Sequence, residues 1–343
     1  MPLNFRSFKD SILTWLRLTH FPVVKVYPGY GDKDEILVYG HVLSMGPTPR
    51  KKYTDTLLIN MFSFLRLFIV RPKANALVRL EWNGEIHETR TAKDGFFKLE
   101  WKPVSMVTAG WDFVRVSYVS DDGSNAVIAY AEGSIFIPHA SRYSFVSDID
   151  DTFLISHSSN LRKRLFILFT KNAQSRKPFE GVVKHYQLLA KAGATNDMSN
   201  PFFYVSSSEW NLFDYIKEFC RKNELPQGVF LLSQMKQLKD FLKTGQGKHA
   251  EKYVRIVRIL KAFPHHKYVL LGDDSQQDPK IYASIVRDFP GIIFAVYLRH
   301  IHHKNESTTQ RLIEQIEASG VHCSYFIHTE EAIAHSQKIG LIV

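Results

Sequence analysis

Two aspartates one residue apart, Asp148 and Asp150, close the apolar run Tyr143-Ser144-Phe145-Val146-Ser147 and lead into Asp151-Thr152. In a strand, side chains repeat every two residues, so both carboxylates lean the same way. Two carboxylates that close repel each other when both are buried and charged. A divalent cation or a shared proton resolves the conflict, and both are tools of phosphoryl transfer. The same residues also suit a plainer role, a strand followed by an Asp-Asp-Thr turn that caps a helix. The pattern Asp-x-Asp-x-Thr alone does not decide between them.

Other apolar runs also end in polar clusters. Phe202-Phe203-Tyr204-Val205 meets Ser206-Ser207-Ser208, whose hydroxyls can donate to a phosphate oxygen or cap a helix before Trp210. Tyr268-Val269-Leu270-Leu271 meets Gly272-Asp273-Asp274, with Asp278 shortly after. Magnesium takes hard oxygen ligands, usually a few carboxylates with waters completing its shell. Asp148, Asp273 and Asp278 are candidates to supply them. A turn and an N-cap before Pro279 account for one of these aspartates but not for all. Lys248 and Lys252 open the helical stretch that leads to Gly272-Asp273. Each is a candidate for phosphate, and each taken singly reads as a solvated surface lysine.

Such groups must be held by a fold, and the chain shows two rhythms. Up to about residue 140 it reads as short strands, at 35–43, 76–82, 86–91, 96–101, 112–120, 126–131 and 133–138. Asn83-Gly84 and Asp94-Gly95 are hairpin turns between them. Residues 1–140 are therefore expected to form a β-rich, sandwich-like antiparallel domain. The segment 57–70 reads as a helix packed on it or a connection across it. From residue 141 to 343 strands and helices alternate. Strands are expected at 143–148, 202–206, 229–232, 268–272, 292–298 and 323–327. Helices are expected at 179–191, 211–223, 249–262, 279–287, 309–319 and 330–338. Alternation of this kind predicts an α/β domain, a parallel sheet covered on both faces with its site at the carboxyl ends of the strands.

Composition narrows the class. The 343 residues are 45% hydrophobic and 23% charged, ordinary for a globular chain with about two cores. No apolar run reaches the ~18 residues of a membrane span. Residues 57–70 come nearest and are broken by Asn60, Ser63 and Arg66. Residues 1–18 scatter Arg6, Lys9, Asp10 and Arg17 among apolar residues, which reads as a short amphipathic helix rather than a secretion signal. The two cysteines, Cys220 and Cys323, offer no disulfide framework. A cytoplasmic protein is expected, peripheral at a membrane if its substrate is a lipid. The formal net charge of +10 favours anionic partners. Zinc-finger spacing and RNA-recognition signatures are absent from the sequence, so nucleic acid is not expected. Residues 160–177 mix Arg162, Lys163, Arg164, Lys171, Arg176 and Lys177 with apolar residues. They read as an amphipathic helix with a solvated basic face, or as an element that docks on anionic lipid.

Taken in order, Asp148-x-Asp150-x-Thr152, Ser206, a helix-borne lysine and Gly272-Asp273 with Asp278 resemble the four motifs of the haloacid dehalogenase superfamily. The likeness narrows through Ser147-Asp-Ile-Asp-Asp-Thr152, Pro178-Phe-x-Gly-Val182, Phe203-Tyr-Val-Ser-Ser-Ser208 with Trp210-Asn211-Leu212, and Asp278-Pro279-x-Ile281-Tyr282. These resemble the phosphatidate phosphatase catalytic domains of the fungal actin-patch-associated family and its bacterial relatives, over about residues 142–300. Tyr27-Pro-Gly-Tyr-Gly31 and Asp94-Gly-Phe-Phe97 are similar, less distinctively, to the leading domain of the bacterial members. The chain departs from the pattern at Glu209, Glu251 and Asp274, where relatives commonly carry proline, histidine and serine.

The resemblance implies a Rossmann-like, doubly wound sheet and a magnesium-dependent phosphatase working through an aspartyl-phosphate. It implies Asp148 as nucleophile and Asp150 as general acid and base. Asp148, Asp150, Asp273 and Asp278 would surround Mg2+. Thr152, Ser206, Ser207 and Lys252 would bind phosphate, with Lys248 as the alternative lysine. Phosphatidate at a membrane surface is the implied substrate. A soluble phosphomonoester, or a non-catalytic module that binds metal or phosphate, remain the competing readings.

Overall fold

The computed structural model describes residues 18–19, 21–47, 66–139, 142–149, 181–193, 199–235, 248–275, 277–301 and 306–343. They form two compact units, one holding the described residues up to Ile137 and the other nearly all of those from Pro138 onward. All but the last residue of the expected helix at 1–18, the basic segment at 160–177, and both Asp150 and Thr152 fall outside the described residues, as does most of 57–70. Arg66–Phe68 forms a single 3-10 turn.

The first unit is one eight-stranded sheet. Its strands are β1 (Val23–Gly31), β2 (Ile36–Met45), β3 (Arg71–Pro72), β4 (Leu77–Trp82), β5 (Glu85–Arg90), β6 (Phe96–Trp101), β7 (Gly110–Val119) and β8 (Val127–Ile137). The hydrogen-bonded order is β3-β2-β1-β8-β7-β4-β5, with β6 paired to β2. Alternation explains the elements: in β4, Val78, Leu80 and Trp82 are buried while their neighbours are more exposed. These side chains share one core with Val38 and Val42 of β2, Phe97 and Leu99 of β6, and Val114 and Val116 of β7.

Three features differ from the sequence expectation. The sandwich is a single sheet curled around its core, joined through a parallel pairing of β1 with β8 at Gly29↔Ile135 and Tyr30↔Phe136. β1 is hidden in the sequence because Pro28-Gly29 carries turn chemistry, and the structure absorbs it as a register shift between Tyr27 and Tyr30. The two strands expected at 126–131 and 133–138 are one strand. Gly133 does not break it; a Cβ there would meet the Val26 side chain at 2.3 Å, so the glycine serves close packing.

The second unit is a parallel sheet flanked by helices. Its elements are β9 (Tyr143–Asp148), α1 (Val182–Ala190), β10 (Phe202–Glu209), α2 (Phe213–Lys222), β11 (Val229–Ser233) and α3 (Lys248–Ala262), then β12 (Lys267–Asp273), α4 (Asp278–Asp288), β13 (Ile293–Arg299), α5 (Glu306–Ala318), β14 (His322–Phe326) and α6 (Thr329–Lys338). The order is β11-β10-β9-β12-β13-β14, and every pairing is parallel. β9 and β10 are buried at every position, as strands covered on both faces must be. The chain runs outward from β9 to β10 in one direction and from β12 to β13 in the other. Right-handed crossovers then put α1 and α4 on opposite faces. In agreement, α3, α4 and α5 pack in a row, while α1 packs on α6. The reversal point lies between β9 and β12, where open α/β sheets hold their ligands.

Candidate functional site

Register brings the polar strand ends to one edge. Val205 is opposite Asp148, and Leu271 is opposite Ser147. Ser206 and Gly272-Asp273 therefore emerge beside the end of β9. Asp148, Asp273 and Asp278 are each 1% exposed and Lys252 is 3% exposed. Charges are rarely buried so deeply without partners.

Lys252 is the link. From α3 its Nζ lies 3.0 Å from Asp148 Oδ1, and it donates a hydrogen bond to Asp278 Oδ1. The sequence left two lysines open, and the structure brings Lys252 to the site. Lys248 begins the same helix, and its side chain lies outside the described residues. Asp278 is the first residue of α4, whose N-cap is Gln277 with no side-chain capping bond. Helix capping thus does not account for Asp278. Its approach needs a bare backbone at position 272, since a Cβ on Gly272 would meet Asp278 Oδ2 at 2.5 Å and the Tyr282 hydroxyl at 2.9 Å.

Asp273 is under electrostatic load. Burial first, and then the charge of Asp148, push its carboxyl up to about 7. Hydrogen bonds from Ser275 and the charge of Lys252 pull the other way. Its Oδ1 accepts the Ser275 N–H at 2.6 Å. Its Oδ2 is buried with no hydrogen-bond partner among the described residues. A lone hard oxygen beside a second carboxylate is chemistry that suits a cation such as Mg2+. Among the described residues no group of three or more His, Cys, Asp or Glu could hold a metal ion.

Ser206, Ser207 and Ser208 belong to β10 and are buried. They lie within the strand and not at the N-cap of the following 3-10 turn, Trp210–Leu212; that N-cap is Glu209, which makes no side-chain capping bond. The Ser208 N–H donates to Ser206 Oγ at 2.9 Å, which turns the hydroxyl group back along the strand end.

Two groups here were not singled out from the sequence for the roles they take. Arg255 donates to the Ser206 carbonyl at 3.2 Å, to Ser233 Oγ at 3.2 Å and to Glu251 at 2.7 Å, tying the ends of β10 and β11 to α3. The signal was its place one helical turn after Lys252 and Glu251. Asp274 is fully buried and accepts from Tyr325 at 2.6 Å, from His300 Nδ1 at 2.7 Å and from the Ile301 N–H at 2.7 Å. It anchors the ends of β13 and β14 to the residue beside Asp273. No local pattern joins residues that far apart in sequence.

Residues 143–300, the segment that builds this site, match the family model described as "Phosphatidate phosphatase APP1, catalytic domain". Over 156 residues the chain is 32% identical to Phosphatidate phosphatase APP1 of Saccharomyces cerevisiae, covering 45% of this chain and 25% of that protein. An uncharacterised protein of Schizosaccharomyces pombe is 24% identical over 163 residues, covering 46% of this chain and 25% of that protein. The chain thus spans about a quarter of the length of the curated relatives it matches. A carbohydrate acetylesterase from Xanthomonas citri superposes with a TM-score of 0.33 at 8% identity, covering 90% of this chain and 70% of that one, a likeness too low to carry an argument.

Proposed function

We propose that the second unit is a haloacid dehalogenase-type phosphatase, doubly wound, that hydrolyses a phosphomonoester, and that its substrate is phosphatidate. The observation that carries the reading is the buried cluster of Asp148, Lys252, Asp278 and Asp273 at the reversal point of a parallel sheet. The match of residues 143–300 to a phosphatidate phosphatase catalytic domain supports the substrate class.

In this reading Asp148 attacks phosphorus in line with the departing alkoxide and becomes an aspartyl-phosphate. Asp150 protonates the leaving oxygen and then takes a proton from the water that cleaves the acyl phosphate. The Lys252 ammonium, the Ser206 and Ser207 hydroxyls and Thr152 hold the non-reacting phosphoryl oxygens. Asp278 holds Lys252 in place for this task. Asp148, Asp150, Asp273 and Asp278 would hold Mg2+, which when bound neutralises charge between carboxylate and phosphate. Among the described residues no helix is long and apolar enough to cross a membrane. Access to a lipid phosphate is therefore proposed to occur from outside the bilayer.

Phosphate release tests the reading. Phosphatidate in mixed micelles, diacylglycerol pyrophosphate and a soluble aryl phosphate are compared, with Mg2+ and after chelation. Phosphatidate is expected to be hydrolysed fastest and only with Mg2+. Release from soluble esters alone would overturn the lipid assignment. No release from any of them would point to a binding module instead.

A further inference from the structure

Beneath the reactive edge lies a chain of hydroxyls that the proposed chemistry does not use. Tyr186, on α1, is buried, and its hydroxyl is 2.8 Å from Ser147 Oγ. Ser147 Oγ in turn donates to the carbonyl oxygen of Asp148 at 2.9 Å. A serine hydroxyl has one proton to give. With Ser147 giving its proton to Asp148, we assign the Tyr186 hydroxyl as the donor in the first bond. Burial, together with the charges of Asp148 and Asp273, pushes the Tyr186 phenol well above its ordinary range, so it keeps that proton.

The direction of the relay matters. Ser147 and Asp148 are adjacent in a strand, so their side chains leave opposite faces. Lys252 meets Asp148 from α3, with Asp278 of α4 on the same ammonium, while Tyr186 comes from α1 on the other face of the sheet. The phenol therefore does not reach the reacting atoms. It acts on the peptide that aims them. A counterpart grips the neighbouring strand: Tyr282 of α4 donates to the Leu271 carbonyl at 2.9 Å, and Leu271 is the register partner of Ser147.

We infer that Tyr186 is a positioning residue of the proposed phosphatase, fixing the Asp148 peptide through Ser147 so that the carboxylate meets phosphorus in line. The inference rests on the phosphatase reading. Misplacing a reacting group by a fraction of its contact distance slows an enzyme without weakening substrate binding.

The test uses the full chain with phosphatidate as substrate. Tyr186→Phe removes the hydroxyl and keeps the ring; Ser147→Ala removes the middle of the relay. Each is expected to lower kcat by about 10- to 100-fold with KM within about twofold. The double variant should be no slower than the worse single one, because both cut one chain. Tyr268→Phe is the control. Its buried hydroxyl donates to the Ile259 and Phe263 carbonyls at the far end of β12, so its loss should lower the melting temperature while kcat stays unchanged. A Tyr186→Phe enzyme with wild-type kcat, or losses that multiply in the double variant, would overturn the relay while leaving the phosphatase reading intact. A wild-type chain that hydrolyses nothing removes both.

Discussion

The two units bury polar groups for different reasons. In the β unit the buried polar residues among those described are Thr19, His41, Arg66, Thr91 and Ser117, with no carboxylate. Those with described partners close a local gap: His41 pairs with the Tyr27 hydroxyl at 2.9 Å, and Thr91 Oγ1 bridges the Lys73 carbonyl and the Ala76 N–H. In the α/β unit Asp148, Glu209, Asp273, Asp274 and Asp278 are all buried, at strand ends or at the first residue of α4. Water solvates a carboxylate far better than a protein interior does, so such a cluster costs stability. Among the described residues, the β unit builds its core without buried carboxylates. The acidic edge of the other unit is what the proposed phosphatase reading accounts for, apart from Asp274, which anchors β13 and β14.

Removing the cation should break this contrast most sharply. Lys252→Met leaves Asp148 and Asp278 facing each other without their ammonium, and should cost about 3–5 kcal/mol. Thermal unfolding should show a melting temperature lower by roughly 10 °C for a unit of this size, and turnover should vanish. Phe97→Ala, in the core of the β unit, should cost about as much, ~3–5 kcal/mol. Here, though, kcat per folded molecule should hold, as measured below the melting transition. Equal loss of kcat in both variants would erase the distinction between the units. Gly272→Ala pushes a Cβ into Asp278 and Tyr282 and should cost ~1–3 kcal/mol, with kcat falling further than stability alone explains.

A smaller effect carries the most informative sign. The Asp273 carboxyl is raised from 3.8 to about 7, so the folded chain binds this proton more tightly than the unfolded chain does. Its contribution is present in full below about pH 4 and is lost as pH rises through about 7. Asp273→Asn should therefore raise the melting temperature at pH 8 without Mg2+, and the gain should disappear near pH 4. His41 and His185 run the opposite way, since burial lowers both to about 3. They withdraw stability as pH falls from about 6.5 towards 3. His185→Gln should flatten that acid limb in the α/β unit, measured by melting across the pH range.

Much of the α/β unit was legible because its signals are local. Apolar runs such as Phe202-Phe203-Tyr204-Val205 gave the strands, and the helical stretches between them gave the parallel order and hence the shared edge. Gly272-Asp273 and Asp278 were visible as an acidic strand end. The choice of Lys252 needed the structure, because only the three-dimensional path of α3 shows which lysine faces Asp148. The Asp274–His300–Tyr325 network and the Tyr186 relay join residues remote in sequence, and no spacing announces them. In the β unit, Pro28-Gly29 and Gly133 lie inside strands, because turn-forming residues can serve bulges and close packing there.

The central claim is that Asp148 becomes covalently phosphorylated. The direct measurement is rapid acid quench of the full chain with phosphatidate labelled in its phosphate, followed by mapping of the labelled peptide. The account predicts acid-stable, hydroxylamine-labile label on the peptide containing Asp148, appearing before free phosphate and absent from Asp148→Asn. Label on another residue, or phosphate release by Asp148→Asn at the wild-type rate, would contradict it.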